Sequence, residues 1–77
     1  MMSSINVLLS TINDVKDFVS IVSQFDYEID LVSGRYAVDA KSIMGIFSLD
    51  LSKPIKVNIH TDSPEEFITA VDRFIVK

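Results

Sequence analysis

The ten residues DAKSIMGIFS, Asp39 to Ser48, place a Lys-Ser pair directly before an apolar segment that a glycine interrupts. A serine there is first of all a helix N-cap, because its side-chain oxygen accepts a backbone N–H that the first helical turn leaves unpaired. That accounts for Ser42 and not for its neighbours. Ile43, Met44, Ile46, Phe47 and Leu49 cannot all point inward from one short helix. Either Ile43, Met44 and Phe47 are partly exposed, forming an apolar patch of the kind that marks interaction sites, or an irregular turn buries them. Gly45 lowers helix propensity by about 1 kcal/mol relative to alanine, so it implies close packing or the close approach of a partner.

Working outward, Tyr27, Ile29 and Leu31 alternate with Glu28 and Asp30, Ser33-Gly34 supplies a turn, and Tyr36 and Val38 resume the alternation. This is a β-hairpin. Before it, Val15, Phe18, Val19 and Val22 share one stripe of a helix over Asn13 to Gln24, with Thr11 and Asp14 as a weak capping pair. Ile5, Val7 and Leu9 alternate with polar residues as a first strand, in a pattern that Leu8 interrupts. After the Ser42 segment, Pro54 opens a strand in which Ile55, Val57 and Ile59 alternate with Lys56, Asn58 and His60. SPEE, Ser63 to Glu66, then reads as a helix start, with Ser63 as N-cap, Pro64 at the first helical position and glutamates in the first turn. Phe67, Ala70, Val71 and Phe74 follow at helical spacing. The order is β-α-β-β-α-β-α, and the fold class is α+β: an antiparallel sheet with helices over one face.

Composition bounds the function. The 77 residues, 48% apolar and 23% charged, suit one small domain spanning residues 1–77. Cysteine is absent, which removes disulfides, thiolate nucleophiles and the usual structural zinc site together. A net charge of −4 without a basic cluster argues against nucleic acid as a partner. MMSSINVLLS at the start has no basic n-region, and its apolar run is too short for a signal peptide or a membrane span. The expectation is a cytoplasmic protein that does not bind a membrane. No nucleophile-base pair, metal cluster or phosphate loop is legible, so no enzyme activity, metal or cofactor is expected.

GRYAVDAKSIMGIFSLDL, Gly34 to Leu51, resembles the central segment of HPr, the small phosphocarrier of the bacterial sugar phosphotransferase system, whose members commonly carry KSIMG before a short apolar helix. The element order is similar across nearly the full length. The resemblance implies an open-faced β-sandwich with sheet order 1-4-2-3. It also implies that Ser42, within Lys41, Ser42, Ile43, Met44 and Gly45, matches the serine that an ATP-dependent kinase phosphorylates in Gram-positive relatives, and that its helix contacts partner proteins through Lys41, Ile43, Met44 and Phe47. A phosphate at a helix start meets unpaired N–H groups, so the modification is compatible with the fold. A plain N-cap remains the alternative for Ser42.

The family's relay histidine lies between the first strand and first helix, where this chain reads STINDVKDF. Extending the resemblance without a gap puts Thr11 at the histidine position, Asn13 at an arginine position and Asp14 at a proline position. A threonine ester is a far poorer phosphoryl relay than a phosphorylated imidazole. Asp14 and Asp17 add carboxylates where a helix N-terminus otherwise attracts an anion. The single histidine, His60, ends the fourth strand, on the order of 20 Å from that centre if the strands pair as the family implies. It reads as a surface histidine without a positioned partner. Three functions follow: a regulatory or binding homologue that does not transfer phosphate, a phosphocarrier working through an unrecognised residue, and a self-associating interaction module on an HPr scaffold. Partners are proteins of the phosphotransferase system, transcription-regulatory proteins, or a second copy in a homodimer.

Overall fold

The computed structural model describes residues 3–76. β1 (Ser3–Val7), α1 (Ile12–Val22), β2 (Ile29–Ser33), β3 (Tyr36–Asp39), α2 (Ile43–Phe47), β4 (Ile55–Ile59) and α3 (Glu65–Ala70) follow in the order read from the sequence, and a single 3₁₀ turn, Asp72–Phe74, ends the series. The sheet is antiparallel with order β1-β4-β2-β3. The α+β HPr fold expected from the sequence is the fold observed.

Alternation sets the layers. Val7, Ile29, Leu31, Ile55, Val57 and Ile59 point to one face and are buried there against Val15, Phe18 and Val22 of α1, Ile46 of α2 and Phe67 of α3. Among the described residues no charged or polar one belongs to this core. Phe18 meets Phe67 and Phe74 edge-on at centroid distances of 6.4 and 5.9 Å, and Phe25 meets Phe67 at 5.2 Å. These rings join α1 to the C-terminal segment, each pair adding about 0.5 to 1.5 kcal/mol beyond the area it buries.

The local differences have physical causes. β1 ends at Val7 rather than Leu9, because Leu8 N–H donates to Phe74 O at 2.9 Å and the chain leaves the sheet; Leu9 is buried regardless. Tyr27 lies before β2 and not in it. The hairpin turn is Gly34-Arg35, with Ser33 paired to Tyr36 as the last strand residue. Gly34 takes φ +60° and Arg35 does not share the positive φ, the arrangement that needs glycine at the first turn position. Ser63 does not cap α3. Its N–H donates to Thr61 Oγ1 at 3.3 Å, and Pro64 occupies the cap position without a side-chain bond. The final helix stops at Ala70, which is exposed, and the 3₁₀ turn then carries Phe74 into the core. Residues three apart eclipse in a 3₁₀ turn, which puts Val71 and Phe74 on one side.

Candidate functional site

The start of α1 is closed by its own side chains. Thr11 is the N-cap, and its Oγ1 accepts from Asp14 N at 3.0 Å. Asp14 Oδ2 in turn accepts from Ser10 N at 3.1 Å. A carboxylate therefore occupies the positive end of the helix, where an anion would otherwise sit. Beside it lies a hollow of about 390 Å³ with Ser10 and Asp14 on one wall and Arg73 and Phe74 on the other. The sequence reading missed Arg73, which tertiary folding brings to this end of the sheet. Its guanidinium is held by Asp17, at 2.7 Å, and lies over the Phe74 ring at 4.4 Å from the centroid.

His60 lies at the other end of the sheet. β4 runs antiparallel to β1, with Ser3 opposite Ile59 and Val7 opposite Ile55, so His60 follows the Ser3 end whereas Thr11 follows the Val7 end. Parity along β4 places it on the open face with Lys56 and Asn58. The expectation of a histidine without a positioned partner is corrected: His60 Nε2 lies 2.8 Å from Asp30 Oδ2, and His60 N–H donates to Glu28 O. Asp30 itself faces Asp39 directly across β2 and β3. The imidazole thus sits against one of two opposed carboxylates, a pairing that strand spacing alone does not reveal.

α2 carries the exposed apolar surface. Ser42 is its N-cap, exposed, with Oγ accepting from Gly45 N at 3.3 Å, and Ser48 Oγ closes the other end by donating to Gly45 O. Met44 is 77% exposed and Phe47 40%, whereas Ile46 is fully buried. Ile43 is half-buried and packs against the core, so it belongs to the patch only at its margin. Lys41 is exposed, its N–H donating to Asp39 Oδ1 at 2.8 Å. Gly45 serves close packing: a Cβ there would lie 3.1 Å from Ser42 Oγ and 3.2 Å from Val38 Cβ. Two further exposed side chains, Ile12 at 64% and Tyr36 at 71%, were missed. Ile12 falls on the α1 stripe by spacing and is left outside because it opens the helix ahead of the core.

Among the described residues no group of three or more histidines and carboxylates is arranged to hold a metal ion, and no helix is long and apolar enough to cross a membrane.

Residues 14–76 match the family described as PTS HPr component phosphorylation site. The matched span opens at Asp14, after Thr11. Among solved structures, the chain is similar to HPr-C-His from Thermoanaerobacter tengcongensis, with 30% identity, 95% of this chain and 88% of that one covered, and a TM-score of 0.73. It is similar also to a phosphocarrier protein HPr from Bacillus anthracis, with 25% identity, 97% and 98% covered, and a TM-score of 0.73. No curated protein matches the chain.

Proposed function

The chain belongs to the HPr family of the phosphotransferase system, and from that premise we propose that it is a regulatory or binding member that does not transfer phosphate. The observation that carries the reading is the first turn of α1. Thr11 stands there with its oxygen committed as a helix cap, Asp14 places a carboxylate beside it, and the chain's single histidine is bound to Asp30 at the far end of the sheet. Reversible relay needs a nucleophile whose phosphoryl adduct remains reactive, together with a cation or free N–H groups to receive the anion. Arg73, which lines the hollow beside this turn, is already paired with Asp17.

The protein works by docking, without a reaction of its own, in the cytoplasm. Its docking surface is Met44 and Phe47 with Lys41 and the margin of Ile43, and Ser42 at the edge of that surface is the modification switch. A dianion at Ser42 either repels an apolar partner or recruits an arginine from it, and either effect changes affinity. The partners are proteins of the phosphotransferase system or transcription-regulatory proteins.

Incubation with the pathway's phosphoenolpyruvate-dependent donor enzyme and labelled phosphoenolpyruvate tests this reading. The protein should stay unlabelled while a histidine-bearing HPr in the same tube is labelled. Stoichiometric acid-labile labelling would establish the phosphocarrier reading instead.

A further inference from the structure

We propose that two copies of the protein self-associate through β3, joined antiparallel about Ala37 into one continuous eight-stranded sheet. This goes beyond the docking function and does not rest on it.

The two edges of the sheet differ. The outer edge of β1 is partly occupied by the chain's own end, since Val7 bridges Ile75, Val76 N–H donates to Asn6 O at 2.9 Å, and Leu8 N–H donates to Phe74 O. β3 has a neighbour on one side only, β2. The register shows which of its groups face outward. Ser33 pairs with Tyr36 across a two-residue turn, and Ala40 N–H donates to Ile29 O. Tyr36, Val38 and Ala40 therefore bond inward to β2, whereas the backbone groups of Ala37 and Asp39 point away from the sheet. Such a row is a template for another strand.

Charge and size select the occupant and its register. With Ala37 opposite Ala37 of the second copy, Arg35 lies opposite Asp39 of the second copy, and symmetry makes this pair twice. Arg35 has no ion pair among the described residues. The smallest side chain on the strand sits at the two-fold axis, where the copies approach most closely. A shift of two residues in one direction instead opposes Arg35 to Lys41, and opposite like charges destabilise a strand pair. A shift in the other direction runs β3 onto the Ser33-Gly34 turn and ends the ladder. On the helix-bearing face the preferred register sets Tyr36, 71% exposed, opposite Val38 of the second copy. The strand is four residues long, and each copy carries a net charge of −4, so the association is weak and reversible.

Sedimentation velocity over a concentration series tests the proposal. The weight-average sedimentation coefficient of the wild-type protein should rise towards that of a dimer, and Arg35→Glu, which turns both attractive pairs repulsive, should weaken association roughly tenfold or more. The exchange Arg35→Asp with Asp39→Arg should restore it. Because Asp39→Arg also removes the bond from Lys41 N, Ala37→Pro provides the independent variant: it deletes an outward N–H, leaves the bonds to β2 in place and should abolish association, with circular dichroism confirming the fold. A wild-type protein that stays monomeric at every concentration would overturn the proposal. So would a dimer that survives Arg35→Glu and Ala37→Pro, or one lost on Met44→Ala, which would assign the contact to α2.

Discussion

Thr11 and Asp14 lock the entry to α1 together: Asp14 donates its N–H to Thr11 Oγ1 at 3.0 Å, and the Asp14 carboxylate reaches back to Ser10 N at 3.1 Å. The threonine is the structural N-cap of α1. Thr11→Ala should lower stability by about 1 kcal/mol in urea denaturation, the usual cost of losing an N-cap. Thr11→Ser, which keeps the oxygen, should change it little. Thr11→His alone should remain unlabelled by the donor enzyme, because Asp14 still holds a negative charge beside the new imidazole.

Met44 and Ile46, two residues apart on α2, should respond oppositely to truncation. Ile46 is fully buried, so Ile46→Ala should cost about 2 to 5 kcal/mol. Met44 is 77% exposed, so Met44→Ala should stay within about 0.5 kcal/mol while weakening partner binding. Measured against it, Ser42→Asp should alter binding more than melting temperature. A loss of several kcal/mol for Met44→Ala would place that side chain in the core and remove the docking surface.

Gly45→Ala sets two effects against each other. Alanine raises helix propensity by about 1 kcal/mol, but its Cβ would press on Ser42 Oγ and on Val38 Cβ, and the latter is fixed by β3. Overpacking of this kind costs about 1 to 3 kcal/mol. The variant should be neutral to destabilised in thermal unfolding, and a clear gain in stability would show that α2 can move off β3.

The His60–Asp30 pair is exposed on both sides, and pairs of that kind contribute about 0.2 to 1 kcal/mol. A double-mutant cycle with His60→Ala and Asp30→Asn should return a coupling in that range. Donor-enzyme labelling should be unaffected, since His60 lies at the end of the sheet opposite α1's first turn.

Tyr27 gives the pH prediction. Its hydroxyl is shielded from solvent without a hydrogen-bond partner, and burial first, then the charges of Glu66 and Glu65, raise its pKa above the ordinary tyrosine value. The folded state therefore holds the phenolic proton more tightly than the unfolded state does. This stabilisation is fully present below about pH 10, where both states are protonated, and is lost as pH rises through the folded-state value. An ultraviolet absorbance titration should show one of the two tyrosines ionising late, and Tyr27→Phe should remove that step.

The sequence by itself determined the layers of this protein. Period-2 alternation at Ile29, Leu31, Ile55, Val57 and Ile59 and the stripe of Val15, Phe18 and Val22 depend only on which side of a strand or helix a residue occupies, and that is a local property of the chain. Thr11 and Ser42 as caps were legible for the same reason: each bond closes over three residues. The core's geometry decided what spacing could not. Val71 and Phe74 left the helical pattern for a 3₁₀ turn because Phe74 packs against Phe18, 56 residues earlier. Ile12 stayed outside although it lies on the apolar stripe, since a stripe specifies a direction and not whether a core extends that far. Gly45 was ambiguous until Val38 was seen opposite it. His60 met Asp30, and Arg73 met Asp17, only because strands and helices distant in sequence were folded side by side. Side-chain partners across the fold are set by the register and packing of whole elements, which no single stretch of the chain contains.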